Sequence, residues 1–380
     1  MSSATTPFSF PRDVPVRTDG VVTLRAHGDH DVDAMVEMCT DPQMQRWTAV
    51  PQDYHRQNAV DFARDAMRIA WEQKDHRGWA IEAVDPNTGE TRFAGNIDVR
   101  GTPIADVGFA LHPWARGRGL MTRALALAAQ WCFQDGGVEI IHWRAQVGNV
   151  ASLRTAWASG FTLHGTTPGL LHEREQVLDA WTASLRFGDD GRPRTTWWDV
   201  PVIEGDRVRL RPFADRDAPR IVEACGDETT RHWLSFLPAP YTEQTARDHV
   251  ISQAWRAACG DTVTWCVADR ESDLLLGSIS VLHLSGSDPS AGEIGYWTHP
   301  DARGRGVMGE AASLATRHAL KPETDGGLGR RRLELLAGGG NAASNAIARR
   351  LGFHLVGTKR RAEPLGDGSY DDLNVYDLLA

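Results

Sequence analysis

His112-Pro113-Trp114-Ala115-Arg116-Gly117-Arg118-Gly119-Leu120-Met121 is the stretch that decides the fold, because the chain contains it twice. The second copy, His299-Pro300-Asp301-Ala302-Arg303-Gly304-Arg305-Gly306-Val307-Met308, lies 187 positions further on. Each copy follows a strand-like run and opens a helical pattern. After the first, apolar residues at 121, 124, 125, 128 and 132 keep helical spacing. Paired glycines let a backbone come close to a ligand, and the free N–H groups of a helix N-terminus favour an anion. Arginines at 116, 118, 303 and 305 add positive charge. One such turn reads equally as an ordinary glycine turn before a helix. Two, in the same strand-loop-helix setting, point to a diphosphate cradle. There is no Gly-Lys-Ser/Thr for a P-loop, and no GxGxxG after a first strand for a Rossmann site.

Outward from the loops, the whole chain repeats. Asp13-Val14-Pro15, Leu24-Arg25, Val36-Glu37, Cys39 and Trp47 recur 186 positions on as Asp199-Val200-Pro201, Leu210-Arg211, Val222-Glu223, Cys225 and Trp233. Gly148-Asn149, Ser152 and Gly160-Phe161 recur at 192 as Gly340-Asn341, Ser344 and Gly352-Phe353. A period this long means a duplicated domain with its own core rather than a solenoid repeat. The turn-rich Phe187 to Pro193 suits a linker, so the expected domains are 1–190 and 199–380. Within a half the patterns read β-α-α-β-β-β-α-β-α-β. Asp85-Pro86-Asn87-Thr88-Gly89 marks a hairpin, which makes the expected α/β sheet mixed and partly antiparallel.

The chain has 380 residues, 41% apolar and 24% charged, enough for full cores and unlike a disordered or fibrous chain. Its net charge of −9 argues against non-specific nucleic-acid binding, which needs a basic face. No apolar run suits a membrane span, and Met1 to Pro11 lacks the layout of a signal peptide, so a cytoplasmic protein is expected. Five cysteines with no CxxC pair argue against a disulfide framework or zinc site, and no metal is expected. Cys39 and Cys225 sit in apolar helical patterns and read as buried thiols.

The arginine-glycine loop, the later Asn-x-x-Ser and the closing Gly-Phe resemble the GNAT acyltransferases, in particular RimJ/RimL-type N-acetyltransferases. The resemblance spans nearly all of both halves. It departs at the first loop position, often Gln or Arg in the family and here Trp114 or Asp301. It implies two tandem GNAT-like domains, each a mixed sheet flanked by helices, using acetyl-CoA or another acyl-CoA as co-substrate. The diphosphate would sit on Arg116, Gly117, Arg118, Gly119 and Leu120, and on Arg303, Gly304, Arg305, Gly306 and Val307. The pantetheine arm would lie along Phe109 to Leu111 and Tyr296 to Thr298. Asn149 and Asn341 would lie near the thioester; both read equally as helix caps. Ser152 and Ser344 are the matched candidates for protonating the leaving thiolate.

An ammonium cannot attack a thioester, so the acceptor must lose a proton. Asp106 and Glu293 occupy equivalent places two residues before a strand glycine, on its face, and are candidate bases. Each reads equally as a solvated strand-end charge. Trp47 and Trp233 read as acceptor-pocket walls or as core. His112 and His299 read as strand-end turn contacts. The implied acceptor is an amine on a small molecule, a peptide or a protein N-terminus, attacked directly in a ternary complex. Two alternatives stand beside this. One is a long-chain or carrier-protein donor. The other is a non-catalytic acyl-CoA-binding half, the two halves pairing as an intramolecular pseudo-dimer. Glu293 and Glu310, against Asp106 and Arg123, tilt the expectation of catalysis to the second half.

Overall fold

A computed structural model describes residues 14–73 and 76–380. The signal-peptide reading of Met1 to Pro11, and Asp13 of the repeat, lie outside the described residues. The chain divides between Arg194 and Thr195 into two units, each with its own eight-stranded sheet.

The first unit begins with β1 (Arg17–Thr18), β2 (Val22–Arg25), α1 (Val32–Thr40) and α2 (Pro42–Trp47). A helical stretch follows, α3 (Arg56–Asp61) and α4 (Met67–Gln73), joined by a π-helical turn at Phe62–Ala66. Then come β3 (His76–Val84), β4 (Thr91–Arg100), β5 (Ile104–Leu111), α5 (Leu120–Gln134), β6 (Ile140–Gln146), α6 (Val150–Ala158), β7 (Thr162–Glu173) and β8 (Gln176–Arg186). The sheet order is β1-β2-β3-β4-β5-β6-β8-β7, antiparallel except for β5 against β6.

The second unit repeats it. β9 (Ile203–Glu204), β10 (Val208–Arg211), α7 (Ala218–Gly226), α8 (Glu228–Trp233) and α9 (Glu243–Ala258) precede β11 (Val263–Asp269), β12 (Leu275–Leu282) and β13 (Ala291–Thr298). α10 (Val307–Leu320), β14 (Arg332–Gly338), α11 (Ala342–Arg350), β15 (His354–Pro364) and β16 (Tyr370–Leu379) complete it. β13 and β14 are its parallel pair.

Each half therefore has two strands that the patterns did not mark. β1 is only two residues long. β8 is buried on both faces (Ala180, Trp181, Ala183, Ser184 and Leu185), which erases the alternation that identifies a half-exposed strand. The hairpin at residues 85–89 and the helix after each glycine loop are present as expected. Cys39 and Cys225 are buried, and burial pushes their thiols up to about 11.

Helices cover both faces, and the strand period decides which residues meet which. In β13, Ile294 and Tyr296 pack with the α10 core, whereas Trp297 packs with the α7 and α9 cluster. β5 behaves alike: Ala110 packs against the α1 and α3 cluster. Glu293 and Asp106 thus face the α7/α9 and α1/α3 layers, and Tyr296 and Phe109 face the opposite one.

A buried ion pair anchors the first helix of each half. Arg25 grips Asp31 through both guanidinium nitrogens at 2.7 and 2.8 Å, and Arg211 grips Asp217 at 2.8 and 2.9 Å. Burial pulls the Asp31 carboxyl up, but Arg25 and the Gly28 N–H pull harder and leave it below its usual range. Removing one partner of such a pair strands the other, so Asp31→Asn should cost about 3 kcal/mol at neutral pH. Chemical denaturation reads this. Because the folded pKa is depressed, the contribution exists above the unfolded value and disappears as pH falls through the folded one. The deficit of the variant should therefore shrink in acid; a deficit constant with pH would refute the assignment.

Candidate active site

The parallel pair of each sheet parts after three residues. β5 meets β6 only at Ile104–Ile140, Ala105–Ile141 and Asp106–His142, though β5 runs on to Leu111 and β6 to Gln146. β13 meets β14 only from Ala291–Arg332 to Glu293–Glu334, then continues to Thr298. Along the notch, the far edges of these strands are paired, by β4 and β8 and by β12 and β16. What remains is a V-shaped notch in each sheet, with an unpaired main-chain edge at 107–111 and 294–298.

The glycine loop closes the outer end of each notch. Gly117 and Gly119 have φ of 71°, Gly304 71° and Gly306 73°, left-handed values that an L side chain resists. The first intrahelical bonds run from Arg123 N–H to Gly119 C=O and from Glu310 N–H to Gly306 C=O. The N–H groups at 120–122 and 307–309 therefore point out of the helix end over the loop. At Gly117, Gly119 and Gly304 a side chain would meet nothing within 4 Å, so the loop surface is open.

The loop arginines are employed differently from the simple charge reading. Arg116 turns back, its Nε donating to Leu111 O at 3.1 Å and its guanidinium pairing with Asp41 at 2.8 Å. Arg303 binds Asp227 at 2.5 Å and Thr230 at 2.8 Å. Asp41 and Asp227 also cap α2 and α8, so these arginines tie the loop to those two helices. Arg118 lies over Trp114, and Arg305 is exposed. An anion on the loop would meet its main-chain N–H groups and the exposed Arg118 and Arg305, but not Arg116 or Arg303. His112 and His299 tie the loop down from the other side, each 3.1 Å from a glutamate of the first long helix, Glu37 or Glu223.

Glu310 does not belong to the reacting region. It accepts from Arg207 N–H at 2.9 Å and pairs with the Arg207 guanidinium at 3.0 Å. The first half has the inverse pair, Arg123 with Asp19 at 2.7 Å. The extra carboxylate that tilted the expectation toward the second half is thus a charge-swapped structural link. Beside it, a cavity of about 440 Å³ is lined by Arg207, Arg270 and Arg305 with Asp206, Asp269 and Glu271.

Asp106 and Glu293 stand at the vertices of the two notches, where the parallel strands part. Asp106 lies 3.5 Å from Arg144. Glu293 has His283 3.8 Å away, and the charges of Glu334 and Lys359 also act on it. Burial raises the Glu293 carboxyl above its usual range; His283 and Lys359 oppose the rise and Glu334 adds to it. Sequence reasoning missed Asp98, which flanks Gly108 from β4 and is paired with His76 and Arg100 at 3.2 and 3.1 Å. Ser280 occupies its register position in the second half.

On the opposite face, Asn149 and Asn341 cap α6 and α11 by accepting from Ser152 N–H and Ser344 N–H, both at 3.1 Å. Capping pins each serine at the notch wall. Trp233 lies against Gly338 and Gly340, at the end of β14, while Trp47 stacks under Arg46. Among the described residues, no group of three or more His, Cys, Asp or Glu could hold a metal ion, and no helix is long and apolar enough to cross a membrane.

A sheet split at one parallel pair, with a glycine cradle on the helix that follows, is an acyltransferase architecture, present here in tandem. Residues 22–162 and 207–354 both match the acetyltransferase (GNAT) domain family, and the chain belongs to it. It is 28% identical over 176 residues to YdaF of Bacillus subtilis (strain 168), named provisionally as a ribosomal N-acetyltransferase; the match covers 46% of this chain and 92% of that protein. It is 35% identical over 106 residues to the ribosomal-protein-serine acetyltransferase of Escherichia coli (strain K12), 28% of this chain and 55% of that one. Among solved structures, RimL, the ribosomal L7/L12 α-N-protein acetyltransferase in complex with coenzyme A, is 22% identical over 47% of this chain and 98% of its own, with a TM-score of 0.41.

Proposed function

We propose that each half transfers an acetyl group from acetyl-CoA to a primary amine, the N-terminal amine of a peptide or protein being the favoured acceptor, in a cytoplasmic setting. One observation carries the reading: each notch joins an unpaired strand edge to a left-handed glycine loop on a helix N-terminus. An extended arm with two amides and a diphosphate fits that sequence of main-chain donors and acceptors. The names of the two bacterial relatives, one a ribosomal N-acetyltransferase and one a ribosomal-protein-serine acetyltransferase, support a protein as acceptor.

When bound, acetyl-CoA supplies the acyl group as an activated thioester. Glu293 and Asp106 take the amine proton, directly or through one water, from the helix-covered face of the notch. Ser344 and Ser152 give a proton to the departing sulfur from the other face. No cysteine takes part, and transfer is direct. The halves are unequal: burial holds Glu293 as a stronger base than an ordinary carboxylate, which favours the second half as the faster one.

The test is acetyl-CoA with the full chain and peptides that differ only in a free or blocked N-terminal amine. Thiol release and peptide mass should show stoichiometric α-amine acetylation of the free peptides alone. Acetylation of serine hydroxyls, or thiol release that ignores the amine, would overturn amine transfer.

A further inference from the structure

The hydroxyls of Ser152 and Ser344 are held by different partners from different strands. In the first half the Trp143 indole N–H, on β6, donates to Ser152 Oγ at 3.0 Å. The equivalent residue in the second half is Leu335, which has no donor. There the Tyr296 hydroxyl, on β13, lies 2.8 Å from Ser344 Oγ. Its first-half equivalent is Phe109, which has no hydroxyl.

The packing shows the same exchange. Trp143 sits directly across from Ala183 on β8, and Leu335 directly across from Tyr376 on β16. A large side chain faces a small one in the first half, and a medium one faces a large one in the second. Packing alone would preserve only volume. Here three positions differ between the halves, yet one hydrogen bond to one serine oxygen is kept.

We propose that Trp143 and Tyr296 are positioning residues, each occupying a lone pair of its serine hydroxyl so that the serine's own O–H is directed at the sulfur of coenzyme A. This rests on the acyl-CoA reading above and adds how the proton donor is oriented. An indole N–H can only donate, so Ser152 keeps its proton free for another acceptor. The Tyr296 phenol is pushed up to about 12 by burial, against the opposing pull of Ser344, so it keeps a proton to give; the hydroxyl pair allows either direction, and in the proposed arrangement Tyr296 is the donor. In the reaction the C–S bond breaks with its electron pair on sulfur. The S–H bond forms as the serine O–H breaks, the serine oxygen is stabilised by the N–H or O–H it accepts, and it regains a proton from water.

Bound coenzyme A reports this without any acceptor, through the ultraviolet absorbance of its thiolate as pH is varied. The full chain is used, with Gly306→Trp to isolate the first half or Gly119→Trp to isolate the second. The thiol of bound coenzyme A should titrate below that of the free molecule. Trp143→Phe and Tyr296→Phe should each raise it by about half to one pH unit. Adding Phe109→Tyr to Trp143→Phe should bring it back, because a phenol then reaches Ser152 from β5 as Tyr296 reaches Ser344 from β13. If Trp143→Phe fails to fold, Tyr296→Phe, the loss of one oxygen, carries the test. A titration unmoved by Tyr296→Phe with coenzyme A bound overturns the positioning role alone. Absence of binding in the parent chain overturns the acyl-CoA reading beneath it.

Discussion

Gly119→Trp is expected to remove one of two coenzyme A equivalents from the chain, and Gly306→Trp the other. Each glycine is the residue at the helix N-terminus, with φ near 70° and its N–H beside the open loop surface. Two effects follow from a side chain there, and they must be separated. The left-handed backbone costs any non-glycine residue roughly 1–2 kcal/mol, a stability effect shared by alanine and tryptophan. Bulk reaching over the loop is particular to tryptophan, and it excludes the diphosphate. Losing two charge-assisted hydrogen bonds, at about 1.5 kcal/mol each, corresponds to roughly a 100-fold loss of affinity. Gly119→Ala should therefore melt like Gly119→Trp while keeping most of its coenzyme A affinity. At Gly306 the Arg207 guanidinium lies 3.2 Å from where a Cβ would stand, so Arg207→Ala is a further control there. Calorimetry should count two equivalents in the parent chain, one in each tryptophan variant and none in the double variant. A single equivalent in the parent would make one half a scaffold, and the variant that abolishes it would identify the binding half.

Much of this site was legible because the chain contains its own comparison. The loop, the Asn-x-x-Ser and the Asp106/Glu293 pair each stand out only when both halves are laid side by side. What escaped the sequence has physical reasons. β8 lost its alternation because both of its faces are buried. Arg116 and Arg303 read as cradle charges, yet Asp41 and Asp227, far away in sequence, claim their side chains. Glu310 reads from its position as a carboxylate near the site, yet Arg207 claims it. The Trp143–Ser152 and Tyr296–Ser344 bonds left no aligned signal, because the donor moved from one strand to its neighbour while the serine stayed. Position-by-position comparison detects what is kept at one site, not a function passed between sites.

Glu293→Gln, made in a chain whose first loop carries Gly119→Trp, should lower the remaining acetyl transfer by about 10²–10⁴-fold, the usual worth of a positioned general base. The amide keeps the size and loses the ability to take a proton. Before substitution, the acid limb of the pH profile should lie above the ordinary carboxylate range. Burial raises the Glu293 pKa, with Glu334 adding to the rise and His283 and Lys359 opposing it, and only the ionised form is a base. Removing Lys359, as Lys359→Ala, should move that limb further up. Stability separates this role from a structural one. A carboxyl whose pKa is raised on folding supports the fold while protonated, and loses that contribution as pH rises through the raised value. At neutral pH the variant should accordingly melt no lower than its parent, even as its activity collapses. A structural glutamate would show the reverse pattern, with lost stability and activity falling only in proportion to the unfolded fraction. If activity survives in Glu293→Gln with coenzyme A bound, the amine must lose its proton to another group or to bulk water, and the vertex of the notch is then only a place where strands separate.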